Sequence, residues 1–524
     1  MAEPSMVSDP ASPSYVLARL GYGPKPGDAA AFQRQGLAGW LDQQLRPPHG
    51  DDADTAAALA RARLRIVYEG VDDMRPLATL DQPIETLWPL IAEHDKHAPQ
   101  ERRRPLLETI SSTLIRAVHS RYQLREVMCS FWHDHFNVDA WGAEPVAVAL
   151  PSYDRDVIRE HCLGNFRTLL ESVATSTAML YYLSNRSSRA GAANENYGRE
   201  LFELHTLGRD AYLNDKYDRW REVPGALKGH PAGYIDEDVY ESARAFTGWT
   251  VEDGSAIDGG RKLPATGRFA YVESWHDGYQ KRVLATDFNE FQPPLADGKR
   301  VLDLVADHPA TARFLCSKLV RRLVADDPPP RLVAAAAATW SQNRRAPDQI
   351  AKVVRAIVLS PEFIEAQRAK IRRPFALVAG FARATGLDLM PTEPLINAMA
   401  GAGQRLFGYP DPTGLADDRD HFIGTGAMRV RWQLVLALAL NQWATGEWSP
   451  DAAMPPSIET VGEAAQFWLD TLTGQAPPDQ VAAILGGMGV MQDQPLGPRQ
   501  APDSDKRLSL VAAYAAMSPA FQTS

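Results

Sequence analysis

Helix-period patterning runs through almost the whole chain, and no other feature limits the fold as strongly. Apolar residues recur at three- and four-residue spacing from about residue 14 onward, with Gly, Pro and Asn at the breaks. Strand-like alternation is short and confined mostly to 250–292, where RFAYVESWHD reads as part of a small hairpin. The pattern predicts a mainly α protein, with a large multi-helix body and a small irregular or β-hairpin insertion. Three stretches are expected: an N-terminal helical region at 14–208, a helix plus irregular insertion at 209–300, and a C-terminal helical region at 301–524 packed on the first as one body. Residues 51–74 read as an Ala/Leu/Arg-rich helix.

Three polar clusters interrupt the apolar pattern. The first lies in NENYGRELFELHTLG at 194–208. As one helix, this stretch puts Tyr197, Leu201 and Leu204 on an apolar face. Asn196, Glu200 and Glu203 form a polar stripe with Arg199 at its side, Asn194 is a suitable N-cap and Gly208 a stop. Two carboxylates one turn apart, beside an amide and a guanidinium, can grip a cation, share a proton or pair internally. The same spacing also suits a solvated helix face with routine salt bridges.

FWHDHF at 131–136 is the second cluster. If the helix leading into it continues, His133 and His135 point about 160° apart. If the chain turns extended after Trp132, they share a face and both can serve as ligands or acid/base groups. The third cluster is His276-Asp277 beside Trp275, and a lone His-Asp pair also reads as a simple turn.

Composition narrows the function classes. A formal net charge of −10 argues against a general nucleic-acid binder, because no positive excess offsets phosphate repulsion. No apolar stretch is long enough for a membrane span. Walker, dinucleotide and HExxH patterns are missing. Cys129, Cys162 and Cys316 match no zinc, haem or disulfide spacing and read as buried free thiols. The displayed start has no basic segment followed by an apolar run, which predicts a cytoplasmic protein as it stands, or an exported one if a leader has been removed.

FWHDHF, ENYGRELFELHTLG, DEDVYESARAFTGW, SPEF, KIRRPF and GQRLFGYPDPTG occur in the order found in the bacterial DUF1800 family, which this chain resembles over roughly residues 12–524. The resemblance implies a largely helical bacterial protein of uncharacterised function, frequently exported and often encoded beside a DUF1501 protein, here an expected partner. Its motif positions fall on Phe131 to Phe136, on Asn196, Tyr197, Arg199, Glu200, Glu203 and Leu204, and on His276, Asp277 and Lys281.

Three functions fit these clusters. The first is a hydrolase of a glycan or related polymer, a polysaccharide or oligosaccharide. Glu200, Glu203, Asp134 and Asp277 would supply acid and base, and Asn196, Arg199, Trp132 and Trp275 would bind. Inverting enzymes of this kind separate their two carboxyls by about 6.5–9.5 Å. The second is a hydrolase or oxidoreductase with one divalent metal ion, held by His133, His135 and His276 with Glu200 or Glu203. The third is a non-catalytic binding or scaffold protein, whose Glu, Arg and His groups form a buried ion-pair network.

Overall fold

Helices form where the apolar stripes predict them, and their ends fall on residues suited to caps. A computed structural model describes residues 12–366, 370–443, 446, 448–497 and 502–524. Pro309 opens the helix Pro309–Leu323, as its fixed φ and missing N–H favour, with the His308 side chain accepting from the Ala310 N–H. Two Ser-Pro-x-Phe sequences, at 360–363 and 518–521, are matching helix starts: Ser360 caps Phe363 N and Ser518 caps Phe521 N. Both phenylalanines are fully buried, so the echo is one capping device used twice.

The fold is mainly α, with β structure in three separate two-stranded antiparallel sheets among the described residues. Two lie in the expected insertion. There β3 (Trp249–Asp253) pairs with β4 (Ala265–Tyr271), and β5 (Lys281–Val283) pairs with β6 (Thr286–Phe288). The remaining one corrects the expectation for 51–74. The helix there covers only Ala53–Arg61, and the chain then turns back as β1 (Arg63–Tyr68) on β2 (Val71–Pro76). Leu64 and Ile66 alternate inward between exposed Arg63, Arg65 and Val67, which is a strand's period of two. Gly70, at φ +77°, makes the turn.

A single buried apolar cluster contains residues from all three expected stretches, from Tyr15 through Trp249 to Phe521. The three cysteines are buried and free. No helix among the described residues is long and apolar enough to cross a membrane.

Two features position the polar clusters. The helix Gln123–His135 buries Leu124, Val127, Met128, Phe131, Trp132 and His135, a stripe at helical spacing that fixes its rotation. Its C-terminal end is covered by the glycine-rich loop at 404–417. Asn137 donates to the carbonyls of Tyr409 (2.8 Å) and Asp411 (2.9 Å), and Ala140 N–H donates to Phe407 O (2.8 Å). Gly414 (φ +74°) lies so close to the Asp134 carbonyl that a Cβ there would overlap it. Gly414→Ala is therefore expected to cost about 2 kcal/mol, from left-handed strain and displacement of the loop. A urea midpoint unchanged from wild type would show that the loop does not press on Asp134.

Candidate functional site

The predicted site residues separate into three places. At the first, the helix does continue through His135, so His133 and His135 leave it on different sides. Each then meets a π-helical turn, a rare widening of the helix found often at functional positions. His133 Nε2 lies 2.8 Å from Asp154 Oδ1, within the π turn Tyr153–Arg159. His135 Nε2 donates to the His205 carbonyl (3.1 Å), within the π turn Leu201–His205. The helix predicted over 194–208 is therefore an α segment, Glu195–Glu200, running into a π turn. Asn194 caps it through Tyr197 N, as expected, but the wider turn buries Phe202 and His205 and leaves Leu204 half-buried.

Asp154 belongs to a buried network of three guanidinia and three carboxylates. Arg159 joins Asp154 (2.8 Å) to Glu126 (2.8 Å), and Arg116 joins Asp154 (3.6 Å) to Asp51 (2.9 Å). Arg125 bridges Asp51 (3.6 Å) and Glu126 (3.4 Å). Burial pushes the Asp154 carboxyl up, but Arg159, the bond and charge of His133, and Arg116 outweigh it and hold the carboxyl well below its usual range. The cavity lined by His133, Asp154, Arg159 and Glu126 measures 40 Å³, a water-sized space rather than one for a sugar ring.

Asp134, expected as an acid or base, is bound to Arg373. Arg373 also holds Asp417 (3.1 Å), which Arg322 contacts at 3.3 Å. On the other flank, Lys318 Nζ lies 3.0 Å from His135 Nδ1. Since Nε2 of that ring carries the proton donated to His205, Nδ1 is the acceptor. Burial, then Lys318 and His205, keep the His135 ring well below the ordinary histidine range.

Glu200 and Glu203 form the second place. Glu203 pairs with Arg209. Glu200 is half-buried and makes no hydrogen bond or ion pair among the described residues. Burial, Glu203 and Asp411 raise its carboxyl above the usual value, against Arg209 and Arg199. Arg199 is held by Glu195 (2.8 Å) and Asp236 (3.1 Å), and Asn196 is exposed.

The third place is in the insertion. Asp277 forms two bonds with Arg244 (2.7 and 3.0 Å), while His276 meets Asp297 (3.3 Å) and the Thr247 carbonyl (2.9 Å). Lys281 binds Asp297 at 2.7 Å.

These placements put residues that the sequence grouped into one site in separate surroundings. His133, His135 and His276 are not gathered around a common point, and among the described residues no group of three His, Cys, Asp or Glu is arranged to hold a metal ion. Trp132 is completely buried with its indole N–H on Cys162 O (2.9 Å), and Trp275 is buried under the Arg189 guanidinium at 3.8 Å. Neither offers an open stacking face. Sequence reading missed Glu126, Asp154, Arg159, Lys318 and Asp417. The charge-dense run YDRDVIREH among apolar helices was a usable signal for Asp154 and Arg159, but Lys318 had none.

A family model described as "Protein of unknown function (DUF1800)" matches residues 15–523. No curated protein and no solved structure matches.

Proposed function

We propose that this chain, which belongs to the DUF1800 family, is a binding or scaffold protein whose buried ion pairs hold a rigid helical body. One observation supports this most: of the acids and histidines expected to do chemistry, all but Glu200 are engaged by protein groups. His133 meets Asp154, Asp134 meets Arg373, Glu203 meets Arg209, and Asp277 meets Arg244. A carboxylate committed to a guanidinium is held ionised and has little capacity to exchange protons with a substrate. A DUF1501 protein is the partner to test, by size-exclusion of the two purified chains together.

A second reading, hydrolysis of a glycan or related polymer, rests on Glu200 alone. A carboxyl raised by burial and by the neighbouring Glu203 and Asp411 carboxyls has the character of a general acid. Release of reducing ends from a panel of polysaccharides, by wild type and Glu200→Gln, separates the two. The scaffold reading expects no release from either. Hydrolysis by wild type that falls at least a hundredfold in Glu200→Gln would replace it with the hydrolase.

A further inference from the structure

We propose that the pocket between the helix Pro309–Leu323 and the loop at 409–418 binds a small oxyanion, a carboxylate or a phosphate group, with Lys318 as its central cation. The pocket measures 260 Å³, and Lys318, Arg321 and Arg373 line it together with His135, Asp134 and Asp417. That is room for a group of several heavy atoms, unlike the water-sized cavity beside His133.

Charge balance singles out Lys318. Around this pocket Arg373 serves Asp134 and Asp417, Arg322 serves Asp417, and Lys370 serves Asp326. Four cations therefore face three carboxylates, counting Lys318, Arg322, Lys370 and Arg373 against Asp134, Asp326 and Asp417, and the excess persists when the rim residues Arg321 and Asp418 are added to each side. Lys318 is the cation among these with no carboxylate within 4.0 Å among the described residues. The network around Asp154, with three of each sign, has no such excess.

The donors are also incompletely used. The Lys318 ammonium has three N–H bonds, and its one hydrogen-bond partner among the described residues is His135 Nδ1. His135 is locked in the accepting tautomer by its bond to His205 O, so it supplies a lone pair and no charge. Arg373 adds a buried Nε without a partner. Exposed Asp418 at the rim is occupied in capping His421 N. A half-buried cation with spare donors is costly until an anion meets it. Consistent with that lack, burial draws the Lys318 ammonium down to about 8; Asp134 and Asp417 oppose the shift, and Arg321 and Arg373 add to it. An arriving oxyanion would accept from Lys318 and lie beside the Arg321 and Arg373 guanidinia.

The site is separate from Glu200 and does not depend on either reading of function. Its test is calorimetric titration of the full chain with inorganic phosphate and with malonate, against sodium chloride at matched ionic strength. Wild type is expected to bind at least one of the two saturably, and the tighter one names the ligand class. Lys318→Met keeps the aliphatic stem and should weaken binding at least tenfold, and Arg321→Ser at the exposed rim about threefold. Wild-type affinity should also fall as pH rises beyond about 8, where the ammonium loses its proton. Saturable binding by neither anion, or equal affinity in wild type and Lys318→Met, overturns the proposal. Arg321→Ser keeps the question answerable if Lys318→Met fails to fold.

Discussion

Asp154→Asn is expected to lower the stability of the folded chain by about 3–5 kcal/mol, read as a large drop in the urea midpoint at neutral pH. The substitution keeps the shape and removes one charge from a network of six. Arg159 would retain Glu126 and Arg116 would retain Asp51, but both would lose the carboxylate between them while remaining buried. His133 would lose the oxygen at 2.8 Å that orients its ring. The cost lies mainly in charges left without a partner, since a buried pair taken whole contributes little net stability. Asp72→Asn is the control. Asp72 makes two bonds to Arg65 on the outer hairpin, at 2.8 and 2.7 Å, yet both side chains are more than half exposed. Water already screens that pair, so its loss should leave the midpoint unchanged within error. Equal behaviour of the two variants would remove the case for a network that fixes packing. Asp154 also adds an acid dependence: its carboxyl is depressed in the fold, so its stabilisation is present above the unfolded value near 4 and is lost as pH falls toward the folded one.

How far the sequence reaches follows from the range of the interactions. Helices were legible because their signal is local: apolar spacing, and Pro309 suited to a first turn. The β1–β2 hairpin was not, because only Leu64 and Ile66 point inward and the Ala-rich helix before it extends the helical pattern into its first strand. For the HDH cluster both a continued helix and an extended turn were open, and the helix continues, which sends its two histidines to different sides. Their partners were hidden by distance along the chain. Lys318 lies 183 residues from His135, and Arg373 lies 239 from Asp134. In SKLVRRL a lysine looks like any solvated helix cation, and only the fold removes its counter-ion. The π turns were equally silent, because an apolar stripe read at 100° per residue gives no warning that the chain is about to widen. Hence Leu204 was expected inside and His205 was not.

His205 leads to the second large effect, a loss of stability in mild acid. The ring is buried among aromatic neighbours, 5.1 Å from the Phe136 centroid, and its Nε2 has no partner among the described residues. Burial, with Lys318 adding to it, draws its pKa down to about 3. In the unfolded chain a histidine takes its proton near 6.5. Between those values the unfolded state binds more protons, so stability is full above about 6.5 and declines as pH falls through that value toward 3. From pH 7 to pH 4.5 this one ring should cost about 3 kcal/mol. His135 shifts in the same direction and adds to the loss. His205→Phe keeps a ring in the same space without a titrating nitrogen. Its urea midpoint should be close to wild type at pH 7 and clearly higher at pH 4.5, whereas parallel curves for the two proteins would rule His205 out as the source. Lys318 links the acid effect to the oxyanion pocket. Lys318 can sit beside His135 only while that ring stays neutral and accepts its hydrogen bond, so protonating the ring would set two cations against each other in a place already short of negative charge. A bound phosphate or carboxylate would relieve both, and the acid-induced loss should shrink when the pocket is filled.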